Sequence, residues 1–361
     1  MALMLRFEPR PPRGRLHAAL ATLAAAVGAV AATLALCALL IVWAGAPVGA
    51  AYGALFTGGF GSTFALTETL TRATPLILTG LACAVAFRAH FYNIGAEGQL
   101  YLGALAAVAV GGLHGGTGFD LPGWLLFPAM MLAAMAAGAA WLALAAFLRA
   151  RLAVDEVVTT LLLNFVVMLF VGWMLDGPMK DPLAMGWPQS VALNTELELG
   201  RLIERTRLHT GLVYAVAAAL LLWFVNRQTR FGFAMRAVGA NAGAARFAGI
   251  GVQGVVLQTA LVSGALAGLA GAIEVAGRTS YVTLDMSPGY GYTGIVVAML
   301  AALNPLGVVA AAIFVAGLFV GADAMSRAVQ VPTYIADVIV AVALIAMLIA
   351  SHLLKYRVRL R

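Results

Sequence analysis

About ten runs of apolar residues follow one another along this 361-residue chain, each near the roughly 20 residues that an α-helix needs to cross hydrocarbon. They fall near 17–45, 70–88, 96–113, 123–149, 154–175, 209–226, 254–276, 290–303, 305–324 and 332–354. In lipid every backbone N–H and C=O needs an internal partner, so runs of this length in a membrane are helices. Composition agrees, with 63% hydrophobic residues, 10% charged residues and a mean hydropathy of +0.96, well outside the range of soluble domains. The expected fold is an all-α integral membrane protein of about ten transmembrane helices embedded in a lipid bilayer. The run after Arg15 is too long for a signal-peptide core and is read as a retained first span. Cys37 and Cys83 both sit in apolar runs and indicate neither a disulfide framework nor a metal site.

The formal net charge is +7, but its arginines and lysines lie in short segments between apolar runs and form no continuous basic face for nucleic acid. They read as topology signals. Arg6, Arg10, Arg13 and Arg15 occupy the amino-terminal tail (residues 1–16), and Lys355, Arg357, Arg359 and Arg361 the carboxyl-terminal tail (355–361). Between them lies a transmembrane domain over 17–354, whose segment 227–251 carries Arg227, Arg230, Arg236 and Arg246 without an acid. An even span count puts these three basic regions on one side, and the positive-inside rule makes that side cytoplasmic. The external segment 176–208 mixes both charge signs, and Ser190 within it is expected to face solvent. Its role is not legible.

Two polar, glycine-rich breaks interrupt the pattern. Phe91-Tyr-Asn-Ile-Gly-Ala-Glu-Gly-Gln99 lies between the second and third runs, and Met286-Ser-Pro-Gly-Tyr-Gly-Tyr-Thr-Gly294 precedes the short run at 290–303. Runs two to five and seven to ten can be superposed with a break in the same place. The offset of five spans makes the two copies cross in opposite senses, the inverted-repeat arrangement whose broken helices mark the substrate path.

Polar residues at these breaks, with Asn164 near the middle of the fifth run, are the candidates for a translocation path: Asn93, Glu97, Gln99, Asn164, Tyr290 and Tyr292. Each has a plainer alternative. Glu97 lines the route, as intramembrane acids usually do, or hydrogen-bonds backbone to hold the broken helix open. Asn164 meets the solute or bonds between helices. The tyrosines stack on a solute or anchor at the interface. Glu274 and Arg278, at i and i+4, are expected to form a structural ion pair, and Asp155 and Glu156 to open a helix at the positive end of its dipole. In the segment after Arg230, Asn241 is placed to cap a short helix over 241–249 that Gly249 and Gly251 stop, with Phe247 as an apolar knob for a partner.

No Gly-x-x-x-x-Gly-Lys-Ser/Thr loop occurs, so the chain cannot cradle ATP phosphates, and no cofactor is expected on it. His17, His90, His114, His209 and His352 are scattered without metal-ligand spacing. An intramembrane enzyme would need a nucleophile–base pair or a metal cluster, and neither is visible. An ion-coupled secondary transporter would need ligands near the midplane, for which only Glu97, Asp323 and Asp337 qualify.

Asn93-Ile-Gly-Ala-Glu-Gly-Gln99, Asp155-Glu-Val-Val-Thr-Thr-Leu-Leu-Leu-Asn164 and Arg236-Ala-Val-Gly-Ala-Asn-Ala-Gly-Ala-Ala-Arg246 together resemble the signatures of ABC-importer permeases of the branched-chain amino acid, ribose and nucleoside class. The resemblance covers nearly the whole chain and is nearest to nucleoside or simple-sugar systems of the bacterial inner membrane. It implies two permease subunits, cytoplasmic ATPase subunits that use ATP and Mg²⁺, and an external substrate-binding protein. It further implies that residues 236–250, with Arg236, Gly239, Asn241, Ala244, Arg246 and Phe247, couple the permease to the ATPase. A nucleoside is the expected substrate, with ribose-like sugars as the alternative. The long segment 176–208 departs from the family's usual pattern.

Overall fold

A computed structural model describes residues 5–9, 28, 31–112, 122–330 and 332–360. Residues 17–27 of the first expected span, with His17 and His114, lie outside the described residues. Helices account for nearly all of the regular structure. They are α1 (Ala31–Trp43), α2 (Val48–Phe60), α3 (Thr63–Arg88), α4 (Ala96–Gly111), α5 (Gly123–Leu152), α6 (Glu156–Asp176), α7 (Gly211–Gln228), α8 (Arg230–Ala240), α9 (Ala242–Phe247), α10 (Val252–Glu274), α11 (Tyr290–Leu300), α12 (Pro305–Val329) and α13 (Thr333–Lys355). The departure from an all-helical chain is an antiparallel ribbon of β1 (Leu5–Pro9) with β2 (Tyr356–Leu360), which pairs Leu5 with Leu360 where two separate basic tails were expected.

Over the described residues each apolar run falls on a helix, but the helices are not equal. Among the described residues, six (α3, α5, α6, α7, α10 with its continuation to Thr279, and α12) are each long and apolar enough to cross a membrane, and α1 with α2, bent by 119°, adds a seventh candidate. The expected count of about ten is therefore not reproduced by length alone. α4 has 16 residues and α11 has 11, about 24 Å and 17 Å of helix, short of the hydrocarbon thickness. Both begin at a break, so the residues that would complete a span are irregular. α2 was not anticipated, because its four glycines blur the apolar run.

The chain divides into two compact units, residues 1–69 with 314–361, and residues 70–313. In the first, α2 packs on the second half of α12 through small residues. A Cβ on Gly59 would lie 2.5 Å from the Gly317 carbonyl oxygen, and one on Gly321 would lie 2.2 Å from that of Leu55.

In the second unit, α10 lies between α4 and α5, with glycine at each crossing. A Cβ on Gly268 would sit 2.2 Å from the Ala134 carbonyl oxygen, one on Gly264 2.3 Å from that of Gly138, and one on Gly271 1.9 Å from that of Leu100. On α4, Gly103 meets the Gly268 carbonyl in the same way at 2.2 Å. Helix association in lipid lacks a hydrophobic drive, and close backbone approach at small residues supplies dispersion contacts instead. Gly264-x-x-x-Gly268 is the sequence trace of this contact.

The segment after α6 has a structural job. Residues 177–210 are pinned across the ends of α4 and α10: Leu199 N–H donates to the Ala276 carbonyl (2.8 Å), Leu193 N–H to that of Ser280 (2.7 Å) and Asn194 N–H to that of Gly111 (2.9 Å). Ser190, expected to face solvent, is buried, with its hydroxyl oxygen accepting from Val282 N–H at 2.8 Å. His209 is buried against Gly277, and its Nδ1 accepts from Gly211 N–H (3.2 Å).

Gly268→Val should force α10 away from α5, where the Cβ alone would lie 2.2 Å from the Ala134 carbonyl oxygen. Overpacking against backbone, which cannot rotate aside, costs about 1–3 kcal/mol. The expected result is loss of the monodisperse peak in size-exclusion chromatography, whereas Gly254→Val, where a Cβ meets nothing within 4 Å, should elute as wild type.

Candidate translocation site

α3 ends at Arg88, and Ala89–Gly95 run as irregular chain before α4 begins at Ala96. Side chains replace the missing helical hydrogen bonds. The Asn93 carboxamide is fully used: its Nδ2 donates to Gln99 Oε1 (2.9 Å) and Ser263 Oγ (3.0 Å), while its Oδ1 accepts from Gly95 N–H (2.9 Å) and Gln99 Nε2 (2.8 Å). Asn164 on α6 is a second strut. Its Oδ1 accepts from Gly98 N–H at 2.9 Å, and its Nδ2 donates to the Ile94 carbonyl (3.0 Å) and the Tyr292 hydroxyl (3.2 Å). Thr160, one turn earlier, accepts from Ile94 N–H at 3.2 Å.

The second break is built against the first. α10 runs into a π-helical turn, Val275–Thr279, and Ser280 then adopts φ +62° as the chain leaves the helix. α11 starts after Gly289, whose φ of +85° suits glycine. Its first turn meets the first turn of α4: Glu97 accepts from Gly291 N–H at 2.5 Å, with Ser287, Gly289 and Tyr292 close enough to favour its charge. Helix starts carry unpaired N–H groups and partial positive charge, so a carboxylate belongs there. The approach demands glycine, since a Cβ on Gly291 would lie 2.2 Å from the Glu97 nitrogen. Gly294 packs on Thr79, whose hydroxyl donates to the Tyr290 carbonyl (2.9 Å).

All six path candidates thus fall within one connected polar region that joins both breaks. Their exposure differs. Asn93, Gln99, Asn164 and Tyr290 are at most 2% exposed and Glu97 5%, whereas Tyr292 is 41% exposed. The expected pair forms, with Arg278 Nη1 donating to Glu274 Oε1, and the same guanidinium donates to the Tyr290 hydroxyl at 3.1 Å. Ser263, Thr160, Thr79 and Tyr101 complete the region and were not singled out from sequence. Tyr101 donates to the Leu284 carbonyl (2.6 Å) and accepts from Ser287 N–H (3.3 Å). A hydroxyl within an apolar run is a faint signal, because serine and threonine can bond within their own helix.

The start of α6 behaves as its acids suggest. Asp155 caps the helix, accepting from Val157 N–H (2.8 Å) and Val158 N–H (3.2 Å), and Glu156 pairs with Arg149 at 2.9 Å. Arg149 also donates to the His90 carbonyl (3.0 Å) and lies over the Phe91 ring, which ties α5 and α6 to the first break. Asp323 lies on α12 and Asp337 on α13.

Segment 227–251 holds two helices where one was expected. Thr229 caps α8, accepting from Gly232 N–H at 3.1 Å. Asn241 then caps α9, accepting from Ala244 N–H at 3.0 Å, and the chain turns away at Gly249 with φ +82°. Gly239 fits closely over the Arg88 carbonyl, and Arg236 lines a cavity beside Arg88. Ala244 and Arg246 are exposed, and Phe247 is 97% exposed, a bare aromatic ring at the end of α9.

The branched-chain amino acid transport system permease component family matches residues 65–348. The chain belongs to that family. Among its relatives are the guanosine ABC transporter permease of Bacillus subtilis, 35% identical over 88% of this chain and 90% of that one, and the glucose ABC transporter permease of Haloferax volcanii, 38% identical over 85% and 82%. The nucleoside ABC transporter permease of Lactococcus lactis is 30% identical over 76% and 77%. No solved structure matches. The protein is a multi-pass membrane permease subunit and not an enzyme, and membership implies in general an ATPase and a substrate-binding protein as partners.

Asn164→Ala should weaken the permease more than its size suggests. The substitution strands Gly98 N–H and the Ile94 carbonyl in the interior, at about 1–3 kcal/mol for each unsatisfied group. Thermal unfolding in detergent should show a Tm lower by roughly 5 °C or more, while Tyr292→Phe, which removes one 3.2 Å contact, should shift it far less. Equal shifts would remove Asn164 from the framework.

Proposed function

We propose that this chain forms the translocation path of an ATP-driven importer for a nucleoside in the bacterial inner membrane. It pairs with a second permease subunit, equal or different, and receives solute from an external binding protein. The similarity to the guanosine permease along nearly the full length of both chains carries the nucleoside reading. The glucose permease, at 38% identity, supports simple-sugar import as the second reading. Ten crossings follow if α4 and α11 each complete a crossing together with their breaks, in inverted repeats. Both termini and α8–α9 then lie in the cytoplasm, in keeping with the arginine distribution.

In this reading Tyr292 lines the route, and Asn93, Glu97, Gln99, Asn164 and Tyr290 shape it from behind. A neutral solute suits such a route. Uptake of radiolabelled guanosine and glucose into vesicles holding the complete transporter tests substrate and energy source together. Guanosine should accumulate only with ATP inside the ATPase-accessible compartment, and should do so after proton and sodium gradients are collapsed. Gradient-driven uptake without nucleotide would exclude the ABC mechanism, and uptake of glucose alone would establish the sugar reading.

α9 is the coupling element in this proposal. Phe247 exposes an aromatic ring where no lipid is expected, and an ATPase groove would cover it. Phe247→Asp puts a charge into that contact, and its desolvation without a partner costs a few kcal/mol. Co-purification of the ATPase should fall at least tenfold while the permease itself stays monodisperse. Unchanged co-purification together with unchanged stimulation of ATP hydrolysis would refute the docking role.

A further inference from the structure

A cavity of about 290 Å³ opens beside α8, lined by Arg88, Trp223, Asn226, Arg227, Arg236, Asn304 and Pro305. Three of the lining residues are arginines and none carries a carboxylate. Arg88 and Arg236 are near enough for their like charges to interact. Arg88 Nη2 is committed in part to the Leu303 carbonyl (2.7 Å), and Arg227 lies over the Trp223 ring, so both are held in place. Asn226 is 5% exposed, and its Oδ1 has no hydrogen-bond partner among the described residues. Like charges gathered around a concave surface repel unless an anion occupies it. The forked N–H donors of arginine match phosphate oxygens in pairs.

We propose that this cavity binds a phosphate group, carried either by an anionic lipid headgroup or by a soluble phosphate. The volume, on the order of ten water molecules, admits a phosphate with part of the group that bears it. The site's position on the α8–α9 side makes it cytoplasmic through the topology proposed above, but its chemistry is independent of that topology and of the solute imported. An occupied cavity would tie the ends of α3 and α7 to α8 and to the start of α12. It would thereby brace the element that carries α9.

The assembled transporter tests the site in two arms. In nanodiscs, native mass spectrometry compares retention of phosphatidylglycerol with that of phosphatidylcholine. In neutral detergent at constant ionic strength, calorimetry measures binding of inorganic phosphate against a chloride control. Preferential retention of phosphatidylglycerol identifies the lipid source, and saturable phosphate binding identifies the soluble one. In whichever arm is positive, Arg236→Gln and Asn304→Asp should each weaken binding at least tenfold. Asn304→Asp is the cleaner variant, because the carboxylate keeps the acceptor that Leu306 N–H uses at 3.1 Å while adding a negative charge to the cavity. The proposal is overturned if the wild type binds neither probe, or if both variants bind as the wild type does. Failure of guanosine uptake would leave these readouts untouched.

Discussion

Hydrocarbon offers no partner to a stray peptide group, and that constraint organises the second unit of this permease. Breaking a helix inside a membrane frees N–H and C=O groups that must be recaptured by protein. Here each break is repaired in part from outside its own helix. Asn164 and Thr160, on α6, take up the N–H groups of Gly98 and Ile94. Glu97, on α4, takes up that of Gly291 at the start of α11. The first break is therefore partly the support of the second. A carboxylate in that position is stabilised by a helix start that would otherwise have unpaired donors.

The repair works only because the backbones come close. Gly291 and Gly294 let α11 approach α4 and α3, and Gly264, Gly268 and Gly271 seat α10 between α5 and α4. α10 then becomes the member that joins distant parts. Its first residue follows α9 and the turn at Gly249, its middle supplies Ser263 to the Asn93 carboxamide, and its end carries Glu274 and the π-helical turn with Arg278. In the proposed coupling, a displacement at Phe247 would reach the break region through α10, which Gly264, Gly268 and Gly271 seat against α5 and α4.

The helical class was legible because hydrophobic run length is a strong signal. Over the described residues each run falls on a helix, and the caps at Asp155 and Asn241 and the pair of Glu274 with Arg278 follow from local spacing alone. Span number was less legible, since α4 and α11 are too short alone and α2 is too rich in glycine to stand out. The site was visible as a set of polar residues but not as a network. Sequence places Glu97 beside hydrocarbon; it does not reveal that Gly291, 194 positions away, donates to it. The pinned segment 177–210 was opaque because backbone hydrogen bonds hold it, and these leave no residue signature.

How the polar groups are used bears on selectivity. The Asn93 donors and acceptors are all engaged by Gly95, Gln99 and Ser263, and the amide of Asn164 serves Ile94, Gly98 and the Tyr292 hydroxyl. A site that discriminates solutes by hydrogen bonds needs groups left over for the solute, since rejection comes from leaving them unpaired. Here the carboxamides of the breaks are already engaged by the protein's own framework, and Tyr292 presents mainly a ring. In the proposed route, a ring face and a rigid wall would accept a flat base or a sugar with little preference. That physical picture accommodates relatives of comparable identity whose names refer to guanosine in one case and glucose in another.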